Sequence, residues 1–349
     1  MPDHSPSARL NALTLSRNIP VSATLELTRR CPLSCRHCYL PETRGRARAG
    51  RELNAAQWKK VLKQLASAGS LYLTFTGGEP LLRPDLEELC SFAKGLSFDV
   101  RVFSTGLGLT PRRASALKKA GVSAFEMSFY GRPEVHDVVT GLKGSFGRSL
   151  AAARLLKKAG IKVRVKVPLM RGNLAQAGFL KGLARREGFG IAFDPVITAA
   201  NDGDRAPLSL RLRGADMAKA VKLLGQPPEA QPRLEAQPPT EAEPPLDFLC
   251  GAGRNVAAVG PDGTLYPCLQ LPVPLGNLAR SGFQKLWNNS GWLKKWRSAG
   301  EKDLKACARC PDAPYCSRCP GVSLVEEGDI FAPNAPACAL AATYRKSQK

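Results

Sequence analysis

Six short apolar runs alternate with helix-like segments between residues 20 and 225, and this alternation constrains the fold more than any other feature. Strands that alternate with helices form a parallel sheet, because each helix crosses back over the sheet before the next strand begins. The strand-like runs are 21–27, 71–75, 98–103, 123–129, 161–167 and 191–196, and the helix-like segments are 54–68, 84–94, 111–120, 146–159, 173–187 and 215–224. The pattern predicts an α/β fold, either a curled partial barrel or an open doubly wound sheet.

The composition of the chain changes after residue 225. Residues 225–246 (GQPPEAQPRLEAQPPTEAEPPL) are rich in proline and contain no aromatic residue, which predicts an extended linker. Beyond it, RNVAAVGPDGTLYPC indicates a β-hairpin with Cys268 just past its end. We therefore expect a flexible N-terminal segment (1–19), a β/α domain (20–224), the linker (225–246), a cysteine-rich domain (247–343) and a tail (344–349).

The eleven cysteines are unevenly distributed: three lie within residues 31–38, one is Cys90, and seven lie between residues 250 and 338. Such clustering predicts metal ligation, whereas Cys90 stands apart and is expected to be a buried core thiol. The triplet CPLSCRHC suits an iron–sulfur cluster with one open iron, or zinc with His37 as the fourth ligand. Because His37 is directly beside Cys38, shared coordination of one small ion is the less favourable arrangement.

Distinctive stretches follow four consecutive predicted strands. The cysteine triplet follows the first strand, TGGEP (76–80) the second, STG (104–106) the third and SFYG (128–131) the fourth. Ligands of parallel β/α sheets bind beyond the carboxyl ends of the strands, so these stretches are expected to meet at one site. Gly77 and Gly78 would let the backbone approach a ligand closely.

The C-x3-C-x2-C loop followed by Tyr39, with GGEP one β/α unit later, resembles the radical S-adenosylmethionine (SAM) superfamily. The resemblance covers about residues 20–225 and implies a partial (β/α)6 TIM-like barrel. It implies that a catalytic [4Fe–4S] cluster is held by Cys31, Cys35 and Cys38, and that SAM chelates its fourth iron. Reductive cleavage of SAM would then give a 5′-deoxyadenosyl radical. The residues that it implies to bind SAM are Gly77, Gly78, Glu79, Pro80, Ser104, Thr105 and Ser128.

The C-terminal cysteines are similar to the SPASM extension, which carries two auxiliary [4Fe–4S] clusters in peptide-modifying members. The resemblance implies one cluster on Cys307, Cys310, Cys316 and Cys338, and another on Cys250, Cys268 and Cys319. Two departures stand out: the last close gap is two residues where three is usual, and no cysteine lies between Cys250 and Cys268. The three-cysteine cluster is therefore expected to have an open iron or a non-cysteine ligand such as Asp262.

The resemblance implies an enzyme that modifies a peptide or protein side chain during maturation. His136 and Asp137 are candidate acid/base groups, with helix capping and local hydrogen bonding as the alternative for both. Two other functions remain open. One is a radical SAM reaction on a small molecule such as a tetrapyrrole side chain, and the other is a zinc-ribbon nucleic-acid-binding protein, suggested by the net charge of +22 and the CxxC pairs.

Composition also limits the partners. The 51 basic residues exceed the 29 acidic ones but are spread through many helices, which favours a solvated basic surface over nucleic-acid binding as the primary role. No long apolar run or signal segment is present, so we expect a cytoplasmic protein without a membrane partner. By the resemblance, the partners are a precursor peptide or protein substrate and an electron donor such as ferredoxin or flavodoxin. Because no winged-helix module fits before the first strand, the alternatives are a separate leader-peptide recognition protein or none.

Overall fold

The computed structural model describes residues 5–40, 51–225 and 249–348. Its strands are β1 Ser22–Glu26, β2 Tyr72–Thr76, β3 Asp99–Ser104, β4 Val122–Ser128, β5 Lys162–Pro168, β6 Gly190–Asp194, β7 Val256–Val259, β8 Thr264–Tyr266 and β9 Gly276–Asn277. Within the described residues they form one sheet in the order β6-β5-β4-β3-β2-β1-β7-β8-β9. Strands β1 to β6 are parallel and coincide with the six predicted runs, so the α/β fold is confirmed.

The helices are α1 Pro6–Ser16, α2 Ala55–Ser67, α3 Leu86–Gly95, α4 Pro111–Lys119, α5 Pro133–Thr140, α6 Ser145–Lys158, α7 Ala177–Glu187, α8 Gly214–Leu224, α9 Phe283–Asn289, α10 Gly291–Ser298, α11 Pro320–Glu327 and α12 Ala335–Ser347. Fully buried strand residues such as Phe75 and Val102 belong to the same apolar cluster as Trp58 of α2. Alternate strand positions carry polar side chains, among them Glu26 and Lys166. Because successive side chains of a strand point to opposite faces, these polar side chains lie on the face of the sheet away from the apolar cluster. We call this polar face the inner face.

The predicted hairpin is confirmed, and it joins the main sheet. Strands β7 and β8 pair antiparallel on either side of the Pro-Asp-Gly turn. Strand β7 also pairs in parallel with β1, from Ser22 opposite Val256 to Leu25 opposite Val259. The cysteine-rich region thus extends the barrel sheet, because one edge of β1 was left available for pairing.

The N-terminal segment differs from the flexible segment expected over residues 1–19, because helix α1 occupies most of it. Leu15 is 2% exposed. The Asn255 side-chain amide donates to Asn11 Oδ1 at 2.9 Å, and Trp287 Nε1 donates to the Asn18 carbonyl at 2.7 Å. Residues more than 240 positions away in sequence therefore order this polar segment.

The sequence also predicts a linker, a C-terminal tail and a buried Cys90. Apart from residue 225, the predicted linker lies outside the described residues. The predicted tail begins inside α12, where Tyr344 is buried. Cys90 lies in the apolar core, as expected. In the part of the chain that the structure describes, no helix has the length and apolar character needed to cross a membrane.

A close backbone contact joins the start of α11 to the loop after β8. A Cβ atom at Gly321 would lie 1.6 Å from the Gln270 carbonyl oxygen, so only glycine fits. Gly321 follows Cys319 by two residues and Gln270 follows Cys268 by two residues, so this contact holds those cysteines near each other.

Replacing Gly321 with alanine should force these segments apart and destabilise the protein by about 1–3 kcal/mol, the usual cost of overpacking. Thermal melting would measure this. The matched control is Gly147→Ala in α6, where a Cβ meets nothing within 4 Å and no loss is expected. Equal melting temperatures for both variants would contradict the close contact.

Candidate functional site

The first cysteine triplet lies in the loop after β1, and neighbouring elements hold this loop in place. The Thr28 hydroxyl and the Arg29 amide donate to Glu52 Oε1 at 2.9 and 2.8 Å. The amides of Ser34 and Arg36 donate to carbonyls at the end of α5 at 3.0 and 3.1 Å. The loop is therefore fixed independently of its cysteines.

The three thiols of this loop lie close together. Burial, together with the negative charge of Cys38, raises the pKa of Cys31 and of Cys35 to about 12. With such pKa values these two thiols stay protonated at neutral pH until a cation binds them. Three thiols without a fourth are the donor set that a [4Fe–4S] cluster with one open iron requires, so the loop fits that group.

The GGEP loop is hydrogen-bonded to the cysteine loop. The amides of Gly78 and Glu79 donate to the carbonyls of Thr28 and Arg30, both at 2.8 Å. A Cβ at Gly78 would lie 2.3 Å from the Arg30 oxygen, and Gly77 has a φ of +142°. Both glycines are thus required for the two loops to touch.

Glu79 is fully buried and accepts four hydrogen bonds. Its Oε1 accepts from the Leu81 amide at 2.9 Å and from the Ser104 hydroxyl at 2.7 Å. Its Oε2 accepts from the Thr105 amide at 2.7 Å and from the Thr105 hydroxyl. Burial raises the pKa of Glu79, while these bonds oppose the rise. Glu79 therefore ties the loop after β3 to the GGEP loop and brings three predicted SAM-binding residues together.

The remaining predicted SAM contacts lie beside this cluster. Pro80 begins a short 3-10 helix directly after Glu79. Ser128 ends β4 and pairs with Lys166 of β5. The Lys166 ammonium lies 3.3 Å from Glu126 Oε2, so the inner face next to Ser128 carries both charges.

Tyr39 lies between the first cysteine loop and the cysteine-rich region. Its hydroxyl donates to Glu26 Oε1 at 2.9 Å. Burial raises the pKa of Tyr39 well above its usual value, and the charges of Glu26, Cys38 and Cys268 add to the rise. The sequence marks Tyr39 only as the aromatic residue after the triplet and does not single out Glu26, which looks there like any alternating strand residue.

The seven later cysteines gather in the two predicted groups. Burial, together with the nearby charges of Cys250 and Cys319, raises the pKa of Cys268 to about 11. Burial likewise raises the pKa of Cys316 to about 11, with further contributions from Cys338, Cys307 and Cys310. The structure thus brings together three thiols in one group and four in the other.

The structure does not bring Asp262 into the three-thiol group. Strand β8 separates Asp262 from Cys268, because the strand runs away from the turn that contains Asp262. The Asp262 carboxylate instead lies 3.4 Å from the Arg29 guanidinium and accepts from the Thr264 amide at 3.0 Å.

His136 and Asp137, the candidate acid/base residues, lie in two different environments. Burial acts to raise the pKa of Asp137, but hydrogen bonds outweigh it and lower this pKa. The donors are the Phe146 amide, the Gly144 amide and the Ser145 hydroxyl. Asp137 therefore has the local capping role at the start of α6. His136 is 1% exposed and packs against aromatic rings, and burial lowers its pKa to about 4.

Two family models match the chain. Residues 25–174 match the radical SAM superfamily, and residues 250–311 match SPASM, described as an iron–sulfur cluster-binding domain. The chain is 40% identical over 172 residues to PqqA peptide cyclase from Gluconobacter oxydans (strain 621H), covering 49% of this chain and 48% of that protein. It is 31% identical over 268 residues to PqqA peptide cyclase from Ruegeria pomeroyi, covering 71% of this chain and 67% of that protein.

The fold is also similar to crystal structures of SuiB from Streptococcus suis. The structure bound to S-adenosylmethionine has a TM-score of 0.68 and 17% identity, and covers 94% of this chain and 80% of that one. The structure bound to precursor peptide SuiA has a TM-score of 0.66 and 18% identity, and covers 95% of this chain and 80% of that one.

The chain spans about half the length of the PqqA peptide cyclase from Gluconobacter oxydans and two thirds of the length of the one from Ruegeria pomeroyi.

Glu79→Gln should lower the free energy of unfolding by about 2–3 kcal/mol, because a buried carboxylate that accepts four hydrogen bonds becomes a neutral amide. Denaturant midpoints would measure the loss. Ser104→Ala is the control, since it removes one of the four donors to Glu79 together with the bond that its hydroxyl accepts from the Gly106 amide, and it should cost about 1 kcal/mol. Equal losses would show that Glu79 does not act as the shared acceptor of the two loops.

Proposed function

Because the chain belongs to the radical SAM superfamily, with an iron–sulfur cluster-binding domain after the barrel, we propose that it modifies a side chain of a precursor peptide. One observation carries the proposal. The loop after β1 that carries three half-buried thiols is hydrogen-bonded to the GGEP loop, and the same sheet continues through β7 and β8 towards Cys268. A zinc ribbon has no need of the GGEP contact.

Cys31, Cys35 and Cys38 are proposed to hold a [4Fe–4S] cluster. With SAM on its open iron, this cofactor supplies one-electron cleavage of SAM and hydrogen-atom abstraction by the resulting 5′-deoxyadenosyl radical. The residues of the chain would hold SAM in position. The backbone of residues 77–80 would receive the SAM amino group, while Glu79 holds Ser104 and Thr105 in place through its hydrogen bonds. Ser128 would face SAM from the adjacent strand.

The two later groups of cysteines are proposed to hold auxiliary [4Fe–4S] clusters. Cys307, Cys310, Cys316 and Cys338 supply the four thiolates that a cluster needs. Cys250, Cys268 and Cys319 supply three, so one iron would take a ligand from outside the cysteines. Because Asp262 is bound to Arg29 at the far end of β8, we favour a donor from the substrate or solvent over Asp262.

A peptide substrate is supported by the relatives. Two of them are named as cyclases of the peptide PqqA, and the SuiB fold has been solved with the precursor peptide SuiA. The polar inner face beside Ser128, with Lys166 and Glu126, offers charged partners to a peptide. Neither a tetrapyrrole substrate nor nucleic-acid binding is favoured by these comparisons.

We also propose the conditions in which the enzyme works. A ferredoxin or flavodoxin would supply the electron, and a separate protein would recognise the leader of the precursor peptide. A reducing cytoplasm suits the protein, because its cysteines are to remain free thiols until they bind iron.

The experiment is anaerobic incubation of the reconstituted enzyme with SAM, a reductant and a short peptide encoded beside its gene. The expected result is a change in peptide mass with formation of 5′-deoxyadenosine. Replacing Cys31, Cys35 and Cys38 with alanine should abolish both products. Cys316→Ala should abolish peptide modification but retain most SAM cleavage, because it affects only an auxiliary cluster. Equal loss of both activities in Cys316→Ala would contradict separate roles for the clusters.

A further inference from the structure

Basic residues converge at the end of the barrel opposite the cysteine loop. Helices α3, α4, α6 and α7 each end just before a strand begins, so their C-termini lie at the starting edge of the sheet. Each has basic residues in its last turn, whereas α2 has none. We define the basic arc as Lys94, Lys118, Lys119, Lys157, Lys158, Arg185 and Arg186.

Contacts between successive helix ends make the arc continuous. The side chain of Lys94 packs on the glycine after α4, where a Cβ would lie 2.5 Å from the lysine Cγ. Lys118 Nζ donates to the Gly160 carbonyl after α6 at 2.7 Å. Lys157 Nζ donates to the carbonyl at the end of α7. Residues that are scattered along the sequence therefore form one surface.

Helix capping accounts for only part of this charge. One lysine from each of α3, α4 and α6 covers or bonds the end of the next helix, where unsatisfied carbonyls favour a cation. The remaining four basic residues, Lys119, Lys158, Arg185 and Arg186, are exposed. The acidic neighbour Glu187 is already bound by Arg154 at 2.6 Å, so the arc keeps a large positive excess.

The inner side of the same end has a mixed charge. Arg101 lies 3.0 Å from the Asp99 carboxylate at the start of β3. Among the described residues, Tyr72 is the one exposed large aromatic side chain. Binding of single-stranded nucleic acid normally uses several stacking aromatics. This composition favours a polypeptide as the ligand.

We propose that the basic arc docks an acidic stretch of a polypeptide across the end of the barrel remote from the SAM site. Seven cations on a rigid rim would attract carboxylates and guide their approach, and the attraction would weaken as salt screens it. The proposal concerns binding alone and holds whichever peptide bond or side chain the enzyme modifies.

The test measures fluorescence anisotropy of a labelled decamer of glutamate, with a decamer of glutamine as the uncharged probe. The arc variant carries Lys119→Glu, Lys158→Glu and Arg185→Glu. The matched control carries Lys285→Glu, Lys294→Glu and Lys295→Glu on α9 and α10, which are equally exposed and change the net charge by the same amount. We expect roughly tenfold weaker binding of the glutamate decamer by the arc variant and a change within about twofold for the control.

A second arc variant with glutamine at the same three positions should lose an intermediate part of the affinity, and thermal melting should show that all variants are folded. Equal weakening by the arc and control variants would overturn the proposal, because binding would then follow overall charge. Stronger binding of a thymidine decanucleotide than of the glutamate decamer, lost in the arc variant, would identify a nucleic-acid site instead.

Discussion

The parallel pairing of β1 with β7 is the interaction on which the functional region depends. Strand β1 leads into the first cysteine loop, and the β7–β8 hairpin leads to Cys268. Because the two strands are neighbours, Tyr39 can lie between Cys38 and Cys268 while its hydroxyl binds Glu26 at the end of β1. This pairing therefore fixes the first cysteine loop and the hairpin that leads to Cys268 relative to each other.

A second constraint fixes the loops above the sheet. The glycines of GGEP let the backbone after β2 support the cysteine loop, and Glu79 binds the loop after β3 through four hydrogen bonds. The chain thereby positions its cofactor-binding loops mostly with backbone groups and one buried carboxylate. Such an arrangement keeps the site preorganised, while the cofactors supply the reactive chemistry.

The elements of the barrel were predictable because alternating strands and helices have strong local patterns, and the two later cysteine groups were expected from the family resemblance. What escaped prediction depends on residues far apart in sequence. The order of α1 needs Asn255 and Trp287, and the joining of β7 to β1 needs a free strand edge that no periodicity reveals. The four bonds of Glu79 and the convergence of the basic arc likewise exist only in the folded chain.

The most direct test of the account is the iron and acid-labile sulfide content of the anaerobically reconstituted protein. Three four-iron clusters predict about twelve irons per chain. Replacement of Cys31, Cys35 and Cys38 with alanine should reduce this to about eight, with complete loss of SAM cleavage. One or two zinc ions per chain, with no SAM cleavage by the unaltered protein, would contradict the assignment of the three cysteine groups.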